Sequence, residues 1–319
     1  MQKITITDNN SGERLDKFLS YGNFFEKTIS RGEISRQIRE GNILVNEKKV
    51  KASYSLREGD VITLQCEFGE EEISLPKEKK ELSLIFVDEN IIVVDKPAGM
   101  QVHPDSKHKE DTLVNYLVFQ FPEIKKVCNQ TKETHLRPGI VHRLDRDTSG
   151  VLVVARKTEV FSELKRQFQN REIEKKYQAI VYGAPDPAVG RIEKALARST
   201  DYRRQVVAGR KTKTKIRQAV TEYRMLKNWD NAFALLELTP KTGRMHQLRV
   251  HLTFLGHPIV GDKKYFLREQ EKFNFVKRQL LHAQSIKFRL FGKDYVFSSP
   301  LPQDFLDFSR FLDENSGKR

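Results

Sequence analysis

Cysteine is nearly absent from this chain. Only Cys66 and Cys128 occur, with no Cys-x-x-Cys pair, which excludes a disulfide framework and a thiolate zinc knuckle and points to a reducing compartment. No apolar run approaches the roughly 18 residues of a membrane span, and Met1 to Thr7 lacks the apolar stretch of a signal peptide. A soluble, cytoplasmic protein with no membrane partner is expected. Metal-ligand spacing is missing as well: His246 and His251 stand five apart, so they do not stack on one helical face as zinc ligands would. There is no Gly-rich phosphate loop and no repeat at a period of about 20 to 50 residues. Acidic residues are outnumbered, 43 Asp plus Glu against 57 Lys plus Arg for a net charge of +14, and that excess makes a polyanion the expected partner. Nucleic acid ranks ahead of a membrane surface because no basic amphipathic anchor stands out.

The 319 residues suffice for about two domains of roughly 150 residues each. Residues 12 to 66 read as a small module of two helices and short strands. Leu15, Phe18 and Leu19 make one helical stripe, Ile34 and Ile38 another, and Gly41 can end the second helix as a left-handed cap. Ile43 to Val45 and Val61 to Leu64 read as strands. Glu67 to Glu81, rich in Glu and Lys with Pro76, reads as a linker, which divides the chain into 1–66, 67–81 and 82–319. Beyond it, strands at Ile91 to Val94, Val151 to Ala155 and Tyr177 to Val181 outnumber helices. Thr158 is placed to N-cap one helix with Phe161, Leu164 and Phe168 on its apolar face, and a second helix is predicted from Met245 to Leu255. Strands that do not alternate strictly with helices predict an α+β fold with an antiparallel or mixed sheet.

Three polar clusters interrupt this apolar pattern. The first is His142-Arg143-Leu144-Asp145-Arg146-Asp147-Thr148-Ser149-Gly150, a charged turn flanked by two apolar strands, one before it and one from Val151. Neighbouring arginines and hydroxyls there favour an ionised carboxylate, available as base or nucleophile; spacing alone favours the blander reading, a solvated hairpin with a structural Arg-Asp pair. In the second, strand alternation puts Tyr177 on one face with Ala179 and Val181. A strand tyrosine is usually core packing. The third, Lys241 to Leu252, uses Gly243 to throw out Arg244, a cation suited to a carboxylate or phosphate. Two basic patches complete the reading: Arg203, Arg204, Arg210, Lys211, Lys213, Lys215 and Arg217 within fifteen residues with no acid among them, and Arg31, Arg36 and Arg39 at helical spacing near Lys48, Lys49 and Lys51. Both suit phosphate contact, with Glu33 and Glu40 diluting the second.

The first cluster resembles the signature of the RluA-type pseudouridine synthases, Lys175-Lys176-Tyr177-Gln178-Ala179 their second motif, and Thr242 to Arg249 their third. Asp95 to Gly99, Val102-His103-Pro104, Gly256 to Ile259, Gly261-Asp262, Arg278 to Ala283 and Pro300-Leu301-Pro302 match further, in the family's order. Residues 12 to 66 resemble an S4-type RNA-binding domain, which in that family accompanies action on large-subunit ribosomal RNA. The resemblance implies conversion of uridine to pseudouridine in structured RNA, with no metal or cofactor, no DNA partner and a monomeric enzyme. It implies Asp145 as the catalytic carboxylate, acting at the sugar C1′, at C2′ or at C6 of the base. It further implies Arg143 entering the stack vacated by a flipped uridine, Tyr177 stacking beside the extruded base, and Arg244 pairing with Asp145.

Overall fold

The computed structural model describes residues 2–22, 24–25, 29, 31–65, 73–78, 80–105, 108–127, 137–200, 204–265, 273 and 275–317. Cys66, Cys128, Arg203 and most of the first half of the expected linker lie outside them.

The N-terminal part holds β1 (Gln2–Thr5), α1 (Leu15–Tyr21), α2 (Arg31–Glu40), β2 (Ile43–Val45) and β3 (Val61–Leu64), the strands forming an antiparallel sheet in the order β1-β3-β2. Leu15, Phe18 and Leu19 of α1 and Ile34 and Ile38 of α2 are buried against Ile43, Val45, Ile62 and Leu64. The two predicted stripes are therefore the two surfaces this small core needs. Gly41 ends α2 at φ +88°, its amide donating to the Gln37 and Ile38 carbonyls, in the left-handed cap the sequence predicts. β1 goes beyond the sequence reading: its residues are mostly exposed, so they show no apolar stripe.

The larger part is built on one mixed sheet. Its strands are β4 (Leu84–Val87), β5 (Ile91–Lys96), β6 (Ser149–Ala155), β7 (Glu174–Tyr182), β8 (Val189–Glu193), β11 (Val220–Trp229), β12 (Phe233–Pro240), β13 (Leu281–Leu290) and β14 (Lys293–Ser298), with β9 (Leu196–Arg198) and β10 (Gln205–Val207) as a separate hairpin. The order is β4-β5-β6-β13-β7-β12-β11-β8, with β14 also paired to β13. Among the described residues only the β6–β13 pairing is parallel, through His282 opposite Ser149 and Ala283 opposite Gly150. With the helices α3 (Leu113–Gln120), α4 (Thr158–Asn170), α5 (Gln247–Leu255) and α6 (Gln303–Asn315) packed on it, this is an α+β fold.

Alternation along β7 sorts these helices. Ala179 and Val181 pack with Leu248 and Leu252 of α5, whereas Ile180 packs with Phe305, Phe308 and Leu312 of α6. The two helices thus cover opposite faces of that half of the sheet. α4 packs Val160, Phe161 and Leu164 into the core around β5 and β6. Three boundaries differ from the sequence reading. Lys157, rather than Thr158, precedes the first turn of α4. α5 starts at Gln247 because His246 is left-handed at φ 56°. The segment before the His142 cluster forms no strand, only a single bridge from Ile140 to Val154.

Candidate active site

Asp145 lies in the turn that leads into β6, its side chain 19% exposed in a cleft of about 860 Å³. The turn is fixed from two sides. Lys96, wholly buried at the end of β5, donates to the carbonyls of Pro97, Met100 and Arg146 at 2.8, 2.9 and 3.0 Å. Burial, partly countered by Asp147, pushes its pKa down to about 7. Gly99 and Arg146 exchange two further bonds of 2.9 Å. From the other side Arg278 donates to the Asp147 carbonyl at 3.1 Å, and Gln279 to the Thr148 hydroxyl at 3.3 Å.

The cation on Asp145 is Arg249. Its Nη1 donates to Asp145 Oδ2 at 2.9 Å, while Nε and Nη2 donate to the two oxygens of Asp262 at 2.7 and 2.8 Å. Burial alone would raise the Asp262 carboxyl, but bonds from Arg249 and from the amides of Lys264 and Tyr265 hold it below its ordinary value. The planar fork of arginine suits this double duty, and a lysine would reach only one carboxylate well. Arg244 is placed differently from the sequence expectation. It lies before the first turn of α5, whereas Arg249 is the third residue of the helix, and its Nε donates to the Gln218 carbonyl at 3.2 Å. Arg244 still lines the cleft, where burial and the charges of Arg217 and Arg171 lower its pKa.

Tyr177 lines the cleft from β7; burial, then the Asp145 charge, pushes its hydroxyl well above the usual tyrosine range. Arg143 is exposed at the mouth, its Nη1 3.1 Å from His103 Nε2. His103 Nδ1 lies 3.1 Å from the Pro104 carbonyl, so Nδ1 carries the proton and Nε2 accepts from Arg143. Burial and the charge of Arg137 hold His103 near 4, so the ring is neutral. His246 brings Nε2 to 3.8 Å from Asp145 Oδ1.

Residues 90–254 match the RNA pseudouridylate synthase family, and residues 13–62 match the S4 domain. The uncharacterized RNA pseudouridine synthase YlyB of Bacillus subtilis is 34% identical over 314 residues, 98% of each chain. The chain belongs to the RNA pseudouridylate synthase family. A ribosomal large subunit pseudouridine synthase D of Borreliella burgdorferi is 38% identical over 267 residues, covering 83% of this synthase and 78% of that relative. Human RNA pseudouridylate synthase domain containing 4 superposes with a TM-score of 0.57 at 27% identity, over 72% of this chain and 93% of that one.

The synthase's basic patches differ in character. Arg204, Arg210, Lys211, Lys213, Lys215 and Arg217 are all exposed, but Arg210 to Lys215 do not line the cleft. In the small module Arg31 donates twice to Asp16, at 2.9 and 3.0 Å, and Arg36 grips Glu33 at 2.6 and 2.8 Å. Those two cations are therefore partly neutralised within the module. Arg39 donates to the Ser35 carbonyl. Arg249, Asp262, His246 and Tyr265 around the carboxylate, and Lys96 beneath its turn, are site residues to which sequence reasoning gave no role. The third motif did contain a second arginine, Arg249, but five residues after Arg244 and inside α5, which begins only at Gln247.

Proposed function

We propose that this pseudouridine synthase acts on specific uridines of structured RNA, most directly large-subunit ribosomal RNA, with Asp145 as the reacting carboxylate. The observation that carries the reading is the Asp145–Arg249 pair at 2.9 Å inside a cleft whose lining includes Arg143, Arg171 and Arg244. Arg171 and Arg244 have no ion pair among the described residues, and burial first, then the charges of Arg217 and Arg171, lower the pKa of Arg244. Cations that repel one another at a cleft rim suit a polyanion that enters between them.

The chemistry asks for little machinery. The N1–C1′ bond breaks, the base turns, C5 bonds to C1′, and the proton lost from C5 is balanced by one gained at N1, with no net redox change. One carboxylate serves, by attack on C1′ or by removing the C2′ proton. The uridine must leave its stack, at a cost of a few kcal/mol; Arg143 at the mouth fills the gap, and the Tyr177 ring stacks on the extruded base. We assign residues 1–66 to RNA binding, 67–81 to a linker and 82–319 to catalysis. In the small module Arg39 is the phosphate contact of choice, with Arg31 and Arg36 secondary because of Asp16 and Glu33. The large-subunit substrate is carried over from the name of the Borreliella relative, together with the S4 match.

Asp145→Asn is expected to abolish tritium release from RNA transcribed with [5-3H]uridine while binding the RNA within a few-fold of wild type. Turnover by this variant would refute the role of Asp145. Carbodiimide-dependent reverse-transcription stops that vanish from large-subunit ribosomal RNA in a deletion strain identify the target; stops lost only from transfer RNA would redirect the substrate assignment.

A further inference from the structure

Arg249 accounts for one oxygen of Asp145. The other, Oδ1, faces His246, a residue with an unusual backbone and a fixed partner. His246 sits at φ 56°, a left-handed conformation costly for a side chain of this size. That backbone aims the ring so that Nε2 lies 3.8 Å from Asp145 Oδ1 and Nδ1 lies 2.7 Å from the Tyr265 hydroxyl. The Tyr265 oxygen accepts the Gln205 amide of β10 at 2.9 Å. Its own proton has one acceptor among the described residues, His246 Nδ1. That leaves the imidazole proton on Nε2, directed at the carboxylate.

We propose that Tyr265 and His246 are positioning residues, a relay from the Gln205 amide through the tyrosine hydroxyl that holds His246 in the Nε2–H tautomer and so fixes the plane of the Asp145 carboxylate. The inference rests on Asp145 being the reacting group. Both relay side chains are neutral at physiological pH. Burial, partly countered by the Asp145 charge, pushes His246 down to about 4, and burial pushes the Tyr265 hydroxyl up to about 12. A neutral imidazole in the other tautomer would turn a lone pair toward Oδ1 and repel it. At 3.8 Å the two atoms interact electrostatically rather than by a hydrogen bond; catalytic contacts are often long without substrate and shorten in its complex, which the relay requires here. Tyr265 has a second role, because the Arg249 guanidinium lies over its ring, 5.1 Å from the centroid. Tyr265→Phe keeps that contact and removes only the hydroxyl.

Two measurements test the relay. In the free enzyme labelled with 15N-histidine, the His246 ring shifts should report the Nε2–H tautomer, and Tyr265→Phe should erase that preference. A wild-type ring in the Nδ1–H form overturns the proposal, and this readout needs no RNA. In single turnover on unmodified large-subunit ribosomal RNA carrying [5-3H]uridine, Tyr265→Phe should slow the saturated rate about 10- to 100-fold with RNA affinity within about threefold. Tyr265→Phe combined with His246→Ala should be no slower than His246→Ala alone. His246→Gln, which keeps an N–H at the far end, should recover part of the rate and be insensitive to Tyr265→Phe. A saturated rate untouched by Tyr265→Phe, or losses that multiply in the double variant, would rule the relay out. Failure of the wild type on this RNA would instead count against the substrate assignment.

Discussion

At the scale of single residues, the proposed site is an arrangement of side chains around one carboxylate, and its arginines are engaged differently. Arg249 is 7% exposed and bridges Asp145 to Asp262, which is 1% exposed. Arg249→Lys is expected to cut the saturated rate about 100-fold. It should also lower stability by about 1–3 kcal/mol, because Asp262 keeps one of its two bonds from the guanidinium; single-turnover kinetics and thermal melts read both. Arg244→Gln should leave the saturated rate within a few-fold and weaken RNA affinity about tenfold, ~1.4 kcal/mol. The opposite pattern would exchange the two roles. The motif pattern singles out Asp145, Arg143 and Tyr177, and all three line the cleft. It does not single out Arg249 over Arg244, because the choice depends on where α5 begins, and that start is set by the left-handed His246 rather than by apolar spacing. Nor can a pattern reveal the Tyr265 hydroxyl, whose partners are Gln205, sixty residues earlier, and His246.

At the scale of elements, alternation and helical stripes were legible because they are local. Tyr177, Ala179 and Val181 share the α5 face of β7, and Ile34 with Ile38 pack under the small sheet. Pairings were not legible, since nothing near Ser149 in the chain announces that its neighbour is His282. Gly150 marks that junction. It adopts φ +112°, and a Cβ there would stand 2.2 Å from the Ala283 carbonyl oxygen. Gly150→Ala is therefore expected to destabilise by about 2–5 kcal/mol, through left-handed strain and a backbone clash together. Denaturant unfolding measures it. A loss under 1 kcal/mol would mean that β6 and β13 part easily, and the Asp145 turn with them.

Charge is the property of the whole molecule, and it has two measurable consequences. Burial holds His103, His142 and His246 near 4, 3 and 4, below the ordinary histidine value of 6.5. The unfolded chain takes up these protons first as pH falls, so stability should drop from about pH 6.5 to about pH 4, by up to about 4 kcal/mol per pH unit for three groups. Protonating His142 also breaks the 2.9 Å bond it accepts from the Val153 amide. Replacing His142 by Gln should remove about one proton from the slope of stability against pH; an unaltered slope would show that this ring titrates normally. The second consequence concerns RNA. Gln at Arg210, Lys211, Lys213 and Lys215 should flatten the salt dependence of binding, each lost phosphate contact removing about 0.7 to 0.9 from the slope of log affinity against log salt. A slope unaffected by all four substitutions would leave this exposed run facing solvent.

The position of β13 matters for how the molecule comes into being. It joins β4-β5-β6, complete by residue 155, to β7-β12-β11-β8, complete by residue 240, yet it is itself made only of residues 281 to 290. During synthesis the two half-sheets can form early, each with an inner edge, β6 or β7, still unpaired, and wait for a strand that arrives late to wedge between them. The Asp145 turn gains its Arg278 and Gln279 supports with the same late segment. Isomerisation by a nascent chain is therefore expected only once this closing strand has left the ribosome, and until then its open edges are exposed to misassembly.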